Sequence, residues 1–397
     1  MFRSCTTRSM LSFICWFVVV LQLGCSQQSA PSGSEDDRIE GFLKDLNSAD
    51  SAIRERAADA LGKIGPSAKV AVPALVQATK DEKENVRCAA VQALGKIQSE
   101  PESAVPALIV ALQDKRWGVR IAAVEALFLM APQSKQASKA LNEALASECK
   151  DVSQQAAIAL VKIDGTNKPA MQFLIKRVAD GDASRRSSVA LALGTLGESA
   201  KEATNALIAR LKDEQEDVRS AAAQALGQIG PSAKAAVPAL TTALKDSARR
   251  VRLQAAQAIG AMAKEATKAV PGLIEMVKSD SDDDCRIAAL QALGDVGQLA
   301  ADAVPALMNL LKDPNSKVRL FATQALRDIG IGAKQAIPIL ITLAESDTVL
   351  QIRLTAIGAL ARVGRNSKDV VPVLKKLITD PSSEVRGAAE KALAAFE

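Results

Sequence analysis

The sequence predicts an all-α superhelix, a solenoid of about eleven helix pairs, on the strength of a period, a pattern and a composition. The period is an arginine column: Arg54, Arg87, Arg120, Ser153, Arg186, Arg219, Arg252, Arg286, Arg319, Arg353 and Arg386, spaced by 33 residues with two gaps of 34. A fixed spacing of this size marks one supersecondary unit, repeated so that each copy buries its apolar face on its neighbours. Within each period, apolar residues recur in two runs at three- and four-residue spacing, which describes a pair of amphipathic helices. The composition is 48% apolar yet only 3% aromatic, with no Tyr. Ala and Leu must therefore do most of the packing, which suits closely stacked helices. A repeat array also accounts for 397 residues without a globular domain boundary.

From the N-terminus, Arg3 and Arg8 precede an apolar run from Met10 to Leu23. The run is about 14 residues long, short of the roughly 20 that a bilayer-spanning helix needs, so residues 1–24 read as a signal peptide. Its end, Leu21-Gln22-Leu23-Gly24-Cys25, resembles a bacterial lipoprotein signal, although Gln22 stands where an aliphatic residue is usual. The resemblance implies lipidation of Cys25, secretion across an inner membrane, and a lipid anchor in the cell envelope as the single membrane attachment. A cleaved secretory chain with an unmodified cysteine and a retained anchor are the other readings. Residues 25–37 are too polar to bury and read as a flexible tether, with the solenoid expected over 38–397.

One unit shows how each element is specified. Val304, Leu307 and Leu311 share one face of a first helix, and Val318, Ala322, Leu326 and Ile329 one face of a second. Asp313-Pro314-Asn315 between them supplies turn chemistry and an N-cap, and Gly330 stops the second helix. A repeated proline (Pro73, Pro106, Pro238, Pro271, Pro305, Pro338, Pro372) marks a first turn or a kink. Asp stands six residues before the Arg in nine of the eleven units.

These Pro, Asp and Val-Arg columns resemble the HEAT repeat. The wording Val-Arg-x-x-Ala-Ala-x-Ala-Leu-Gly-x-Ile-Gly is similar to its subclass named after phycobilin lyases. The resemblance implies that Asp and Arg of neighbouring units bond along the stack, so Asp213, Arg219, Asp246, Arg252, Asp313 and Arg319 are expected to be structural. The position agrees: an arginine between Val and a run of Ala sits at a helix interface, where an unpaired charge is costly.

The exposed face of the second helix is expected to line the concave surface. On it, Gln92, Gln224, Gln257, Gln291 and Gln324 form a column beside an apolar stripe of Leu253, Ile287, Leu320 and Leu354. This predicts a neutral amide-and-aliphatic groove suited to protein or peptide contacts; the plainer alternative is that Gln is a good exposed helix former and neighbours cover the aliphatics. A second candidate surface is the divergent stretch from Lys115 to Arg186, with a local charge of +5. It holds Arg116 and Trp117, residue types favoured as interface anchors, and Ser147 and Ser153 where Asp and Arg are expected.

Other chemistry is poorly supplied. There is no His, which removes imidazole bases and ligands. Cys88, Cys149 and Cys285 lie in different units, without metal-site spacing. The run Ser279–Asp284 resembles the start of a calcium loop but has Cys285 where Gly is needed and Gln291 where a bidentate Glu is needed. A basic stripe with stacking aromatics, required for nucleic acid, is missing from the predicted face. The expectation is a monomeric, non-enzymatic scaffold binding a protein or peptide, with no cofactor, no metal and no nucleic-acid partner. The alternative is a phycobilin-lyase-like enzyme or its accessory subunit.

Overall fold

The computed structural model describes residues 35–130, 135–365 and 367–396. The signal segment, Cys25 and the tether through residue 34 lie outside the described residues. Among the described residues the chain forms eleven pairs of α-helices. They are α1 and α2 (Glu35–Asp45, Ser51–Ile64), α3 and α4 (Val72–Ala78, Glu84–Ile97), α5 and α6 (Pro101–Ala111, Trp117–Met130), and α7 and α8 (Lys135–Ala144, Lys150–Ile163). Then come α9 and α10 (Lys168–Ala179, Ala183–Thr195), α11 and α12 (Thr204–Arg210, Glu216–Ile229), and α13 and α14 (Val237–Ala243, Arg249–Met262). The last are α15 and α16 (Val270–Ser279, Asp283–Val296), α17 and α18 (Val304–Leu310, Ser316–Ile329), α19 and α20 (Ile337–Ser346, Leu350–Val363), and α21 and α22 (Val370–Leu377, Ser383–Leu393). Helix α1 starts at Glu35, inside the segment expected to be tether. Its first turn holds Glu35, Asp36 and Asp37, where the helix dipole favours negative charge.

The turn chemistry is as local as the sequence suggests. Asn315 caps α18 by accepting from the Lys317 N–H, and Asp50, Asp182, Asp282 and Ser382 cap their own second helices. Gly65, Gly230, Gly297 and Gly330 end second helices at φ between 68° and 74°. A 3-10 turn then leads into the next first helix, as in Gly65–Ala71 and Gly330–Ala336. Pro73, Pro238, Pro271, Pro305 and Pro338 follow at the second helical position, where no N–H is needed. These prolines therefore open helices; Pro106 alone of the column is internal to a helix by this geometry, in α5.

Two second helices end at a positive φ without glycine, and Gln98 after α4 lies in the ordinary left-handed region (φ 51°, ψ 29°). Ala263 ends α14 at φ 48°, ψ −122°, a backbone region that costs a side-chain-bearing residue about 1–3 kcal/mol. Ala263→Gly should therefore stabilise the protein by about 1 kcal/mol, the relief exceeding the added chain entropy. A urea midpoint that rises at unchanged slope is the expected result; a fall would mean that the turn is unstrained.

The core runs the length of the array between the two helix layers. Leu61, Leu94, Leu127, Leu160, Leu193, Leu226, Leu293, Leu326 and Leu360, one per unit at the same repeat position, are all fully or almost fully buried. Second helices pack densely on one another from unit to unit, whereas first helices touch less, so the second helices line the inner side of the stack. Glycines set the closeness of that inner layer. A Cβ placed on Gly62, Gly95, Gly194 or Gly227 would fall 2.6–2.9 Å from the Cα of Ala93, Ala126, Ala225 or Ala258 on the next helix.

An ion-pair ladder behind a candidate protein-binding cleft

The arginine and aspartate columns meet. Arg219 Nε donates to Asp246 Oδ2 at 2.7 Å and Arg219 Nη2 to Asp246 Oδ1 at 2.9 Å, a bidentate pair between successive units. Arg54–Asp81, Arg87–Asp114, Arg186–Asp213, Arg252–Asp280 and Arg319–Asp347 repeat that geometry. Arg286 reaches Asp313 through Nη1 alone at 2.8 Å because Asp283 holds its other nitrogens, and Arg353 pairs with Asp380.

Each rung does more than join two charges. Arg219 Nη1 also donates to the carbonyls of Asp213 and Glu214 in its own inter-helix turn, and Asp246 accepts the N–H of Ala248 in the next. The ladder therefore ties together successive turns and satisfies carbonyls left open at the ends of the first helices. Burial works to raise the Asp246 carboxyl, but the Arg219 hydrogen bonds, the Ala248 N–H and the charges of Arg219 and Arg252 outweigh it and hold it below the usual carboxylate range. Asp81, Asp114, Asp213 and Asp280 are depressed by the same arrangement. The six residues expected to be structural thus all lie in the ladder, with Asp213 serving Arg186 and Asp313 serving Arg286.

The acidic run near residue 280 is consumed in the same way. Asp280 takes Arg252, Asp282 takes Arg249 at 2.5 Å while capping α16, Asp283 takes Arg286 and Asn315, and Asp284 takes Arg249. Among the described residues no group of three or more His, Cys, Asp and Glu could hold a metal ion. Burial, then the charges of Asp280 and Asp282, push the Cys285 thiol up to about 12, so it is inert at neutral pH.

The amide column is partly assembled. Gln257 on α14, Gln291 on α16 and Gln324 on α18 line one open cleft of about 370 Å³ on the inner layer. Its floor is small: Ala256, Ala288, Ala292 and Ala325 with Gly260 and Gly294. A Cβ on Gly260 would meet Asp295 Oδ2 at 2.7 Å, so the absence of a side chain there is what leaves room for that carboxylate. Asp295 and Asp328 stand at one end and Phe321 on a wall. Asp328 is held by Arg327 at 3.1 Å and Arg362 at 3.0 Å. Burial, then the Asp328 charge, raise the Asp295 carboxyl above its usual range.

Other predicted site residues fall elsewhere. Gln224, on α12, is half-buried and outside this cleft. Leu253, Ile287, Leu320 and Leu354 are half-buried against the core, so the aliphatic stripe is largely covered by neighbours rather than free. Trp117 opens α6 with 54% of its surface exposed, and Arg116 beside it pairs with Glu84 at 2.5 Å. The face is also less neutral than expected. Asp295 and Asp328 occupy the same repeat position, four residues beyond Gln291 and Gln324, and that sequence regularity is the signal for the acidic end of the cleft.

Paired helices, tied turn to turn by a ladder and stacked through one continuous core, define an α-solenoid of helix-pair repeats. HEAT repeats match over residues 39–128, 105–194, 171–260, 204–294 and 270–361, and the chain belongs to the HEAT-repeat family. No curated protein matches the chain. Among solved structures it is similar to importin-β (13% identity, TM-score 0.62, 90% of this chain and 57% of that one). It is also similar to yeast importin-β, Kap95p (15% identity, TM-score 0.61, 91% and 57%), and to Kap121p bound to Ste12p (15%, 0.56, 94% and 46%). The chain thus spans about half the length of these relatives. The expected location is corrected by this comparison: the similar structures are importin and Kap chains, one concerned with nuclear import complex assembly, and secretion to a lipid-anchored place in a cell envelope is withdrawn.

Proposed function

We propose that the array is a protein-binding scaffold whose inner face takes an extended segment of a partner protein in the cleft of α14, α16 and α18. The observation that carries this reading is the convergence of Gln257, Gln291 and Gln324, from three successive units, in one open cleft with carboxylates at its end. A primary amide offers donors and an acceptor together, so a row of them suits the alternating N–H and C=O of an extended backbone. The ladder frees the face for this use by keeping the abundant Arg and Asp occupied between units. In Kap121p the same fold carries a protein ligand, Ste12p.

Gln257→Ala with Gln291→Ala should remove specifically crosslinked partners, or weaken an identified one at least tenfold, at an unchanged melting temperature. If binding survives that double change and is lost with Trp117→Ala, the exposed patch on α6 is the contact instead. A tetrapyrrole lyase would need free aromatic lining. In the central stretch Phe128 is covered by Lys162 at 4.9 Å and Phe173 by Arg177 at 5.4 Å, which leaves Trp117 as its exposed aromatic among the described residues.

A further inference from the structure

We infer that the unit α7–α8 is a mechanical joint, dividing the array into a short arm, α1–α6, and a long arm, α9–α22, whose relative angle is soft while each arm is stiff. The divergence of this stretch is then a built-in property of the scaffold. Two independent structural features change together there.

The ladder is interrupted first. Eight of the ten junctions between units carry an Arg–Asp rung among the described residues. The two without one are adjacent, on either side of α7–α8. Arg120 donates to its own turn at the Asp114 carbonyl (2.7 Å), but Ser147 stands where its carboxylate partner would be. At the next junction Asp180 is exposed, and Ser153, in place of the arginine, turns its hydroxyl to the Lys150 carbonyl at 3.0 Å. Arg177 Nη2 reaches across that junction to the Lys150 carbonyl in a long hydrogen bond of 3.4 Å, and no bidentate Arg–Asp pair spans it among the described residues.

The glycine seam is interrupted at the same place. The position held by Gly62 and Gly95, and again by Gly194 and Gly227, is held by Phe128 and Val161. α8 and α10 barely meet there, while the pairs α4 and α6 or α10 and α12 pack closely.

In a linear array each unit is held by its own stability and by its two interfaces, so the chain bends and opens where interfaces are weakest. Consecutive weak interfaces on both sides of one unit concentrate that freedom in it. The cleft on α14, α16 and α18 lies wholly within the long arm, so bending re-aims the short arm without reshaping the cleft.

The test restores the ladder. Ser147→Asp gives Arg120 a carboxylate, and Ser153→Arg gives Asp180 a guanidinium. Spin labels at Lys96→Cys and Lys234→Cys span the joint, and labels at Lys234→Cys and Lys334→Cys lie within the long arm, both in a Cys88→Ala/Cys149→Ala/Cys285→Ala background. The distance distribution across the joint should be at least twice as broad as the control and should narrow when both rungs are restored. Equal widths in the two pairs would overturn the inference, as would an unchanged width in a correctly folded double variant. Amide exchange on the unsubstituted chain decides independently of folding by any variant. The α8 amides should be at least tenfold less protected than those of α4 and α14, and equal protection counts against a joint.

Discussion

Gly95→Ala should destabilise the array by about 2 kcal/mol, although the same change at an exposed helical site would stabilise by about 1 kcal/mol. Gly95 lies inside α4 and is buried. Its added Cβ would fall 2.6 Å from the Cα and 2.7 Å from the Cβ of Ala126. Neither atom can swing aside, since one is backbone and the other is fixed to it, so α4 and α6 must separate. Separation then loosens contacts along the whole interface, because close-packed interiors transmit strain. Gly294 is the internal control: its Cβ would find the Ala325 Cα at 3.5 Å, an ordinary contact. Gly294→Ala should be neutral or mildly stabilising. Urea denaturation of the two variants reads opposite signs; a shared sign would mean that glycine is retained for something other than closeness.

The seam explains what could be read from the sequence and what could not. The period, the helix pairs and the ladder partners follow from residue types at fixed positions, because each is a local or nearest-neighbour effect. A Val-Arg step six residues after an Asp places the Arg at a turn, within reach of the Asp that the next unit carries at the same repeat position. Gly62, Gly95, Gly194 and Gly227 were as visible as the arginines, yet a glycine inside a helix reads as a weak point until its neighbour's position is known. The cleft shows the same limit. Gln257, Gln291 and Gln324 share a column by periodicity, but Gln224 occupies that column and stays outside the cleft. Leu253 and Leu320 share a face and are half-covered all the same. Whether a column is open depends on how far successive helices are rotated and spaced, which is a tertiary quantity.

Arg219→Ala should cost about 2 kcal/mol, between the value of an exposed pair and that of a fully buried one. The side chains of Arg219 and Asp246 are 14% and 13% exposed, so water still screens part of the pair. The loss has two parts. Asp246 keeps the Ala248 N–H but loses both guanidinium bonds, and the carbonyls of Asp213 and Glu214 lose their donor. Arg250→Ala is the matched control, since Arg250 and Asp217 pair at 3.3 Å with side chains 68% and 72% exposed, and its loss should leave the midpoint where it was. The pH dependence separates a ladder role from mere packing of the arginine stem. The Asp246 carboxyl is depressed in the folded protein, so its contribution is complete above the unfolded carboxyl value of about 3.9 and is lost as pH falls through the lower, folded value. Wild-type stability should therefore decline on acidification below about pH 4, with Asp81, Asp114, Asp213 and Asp280 adding to the same slope. Arg219→Ala removes the partner that holds Asp246 down, so the gap between wild type and variant should be widest at neutral pH and shrink as the solution is made acidic. A gap that stays constant from pH 7 to pH 3 would assign the cost to packing and leave the ladder without an electrostatic role.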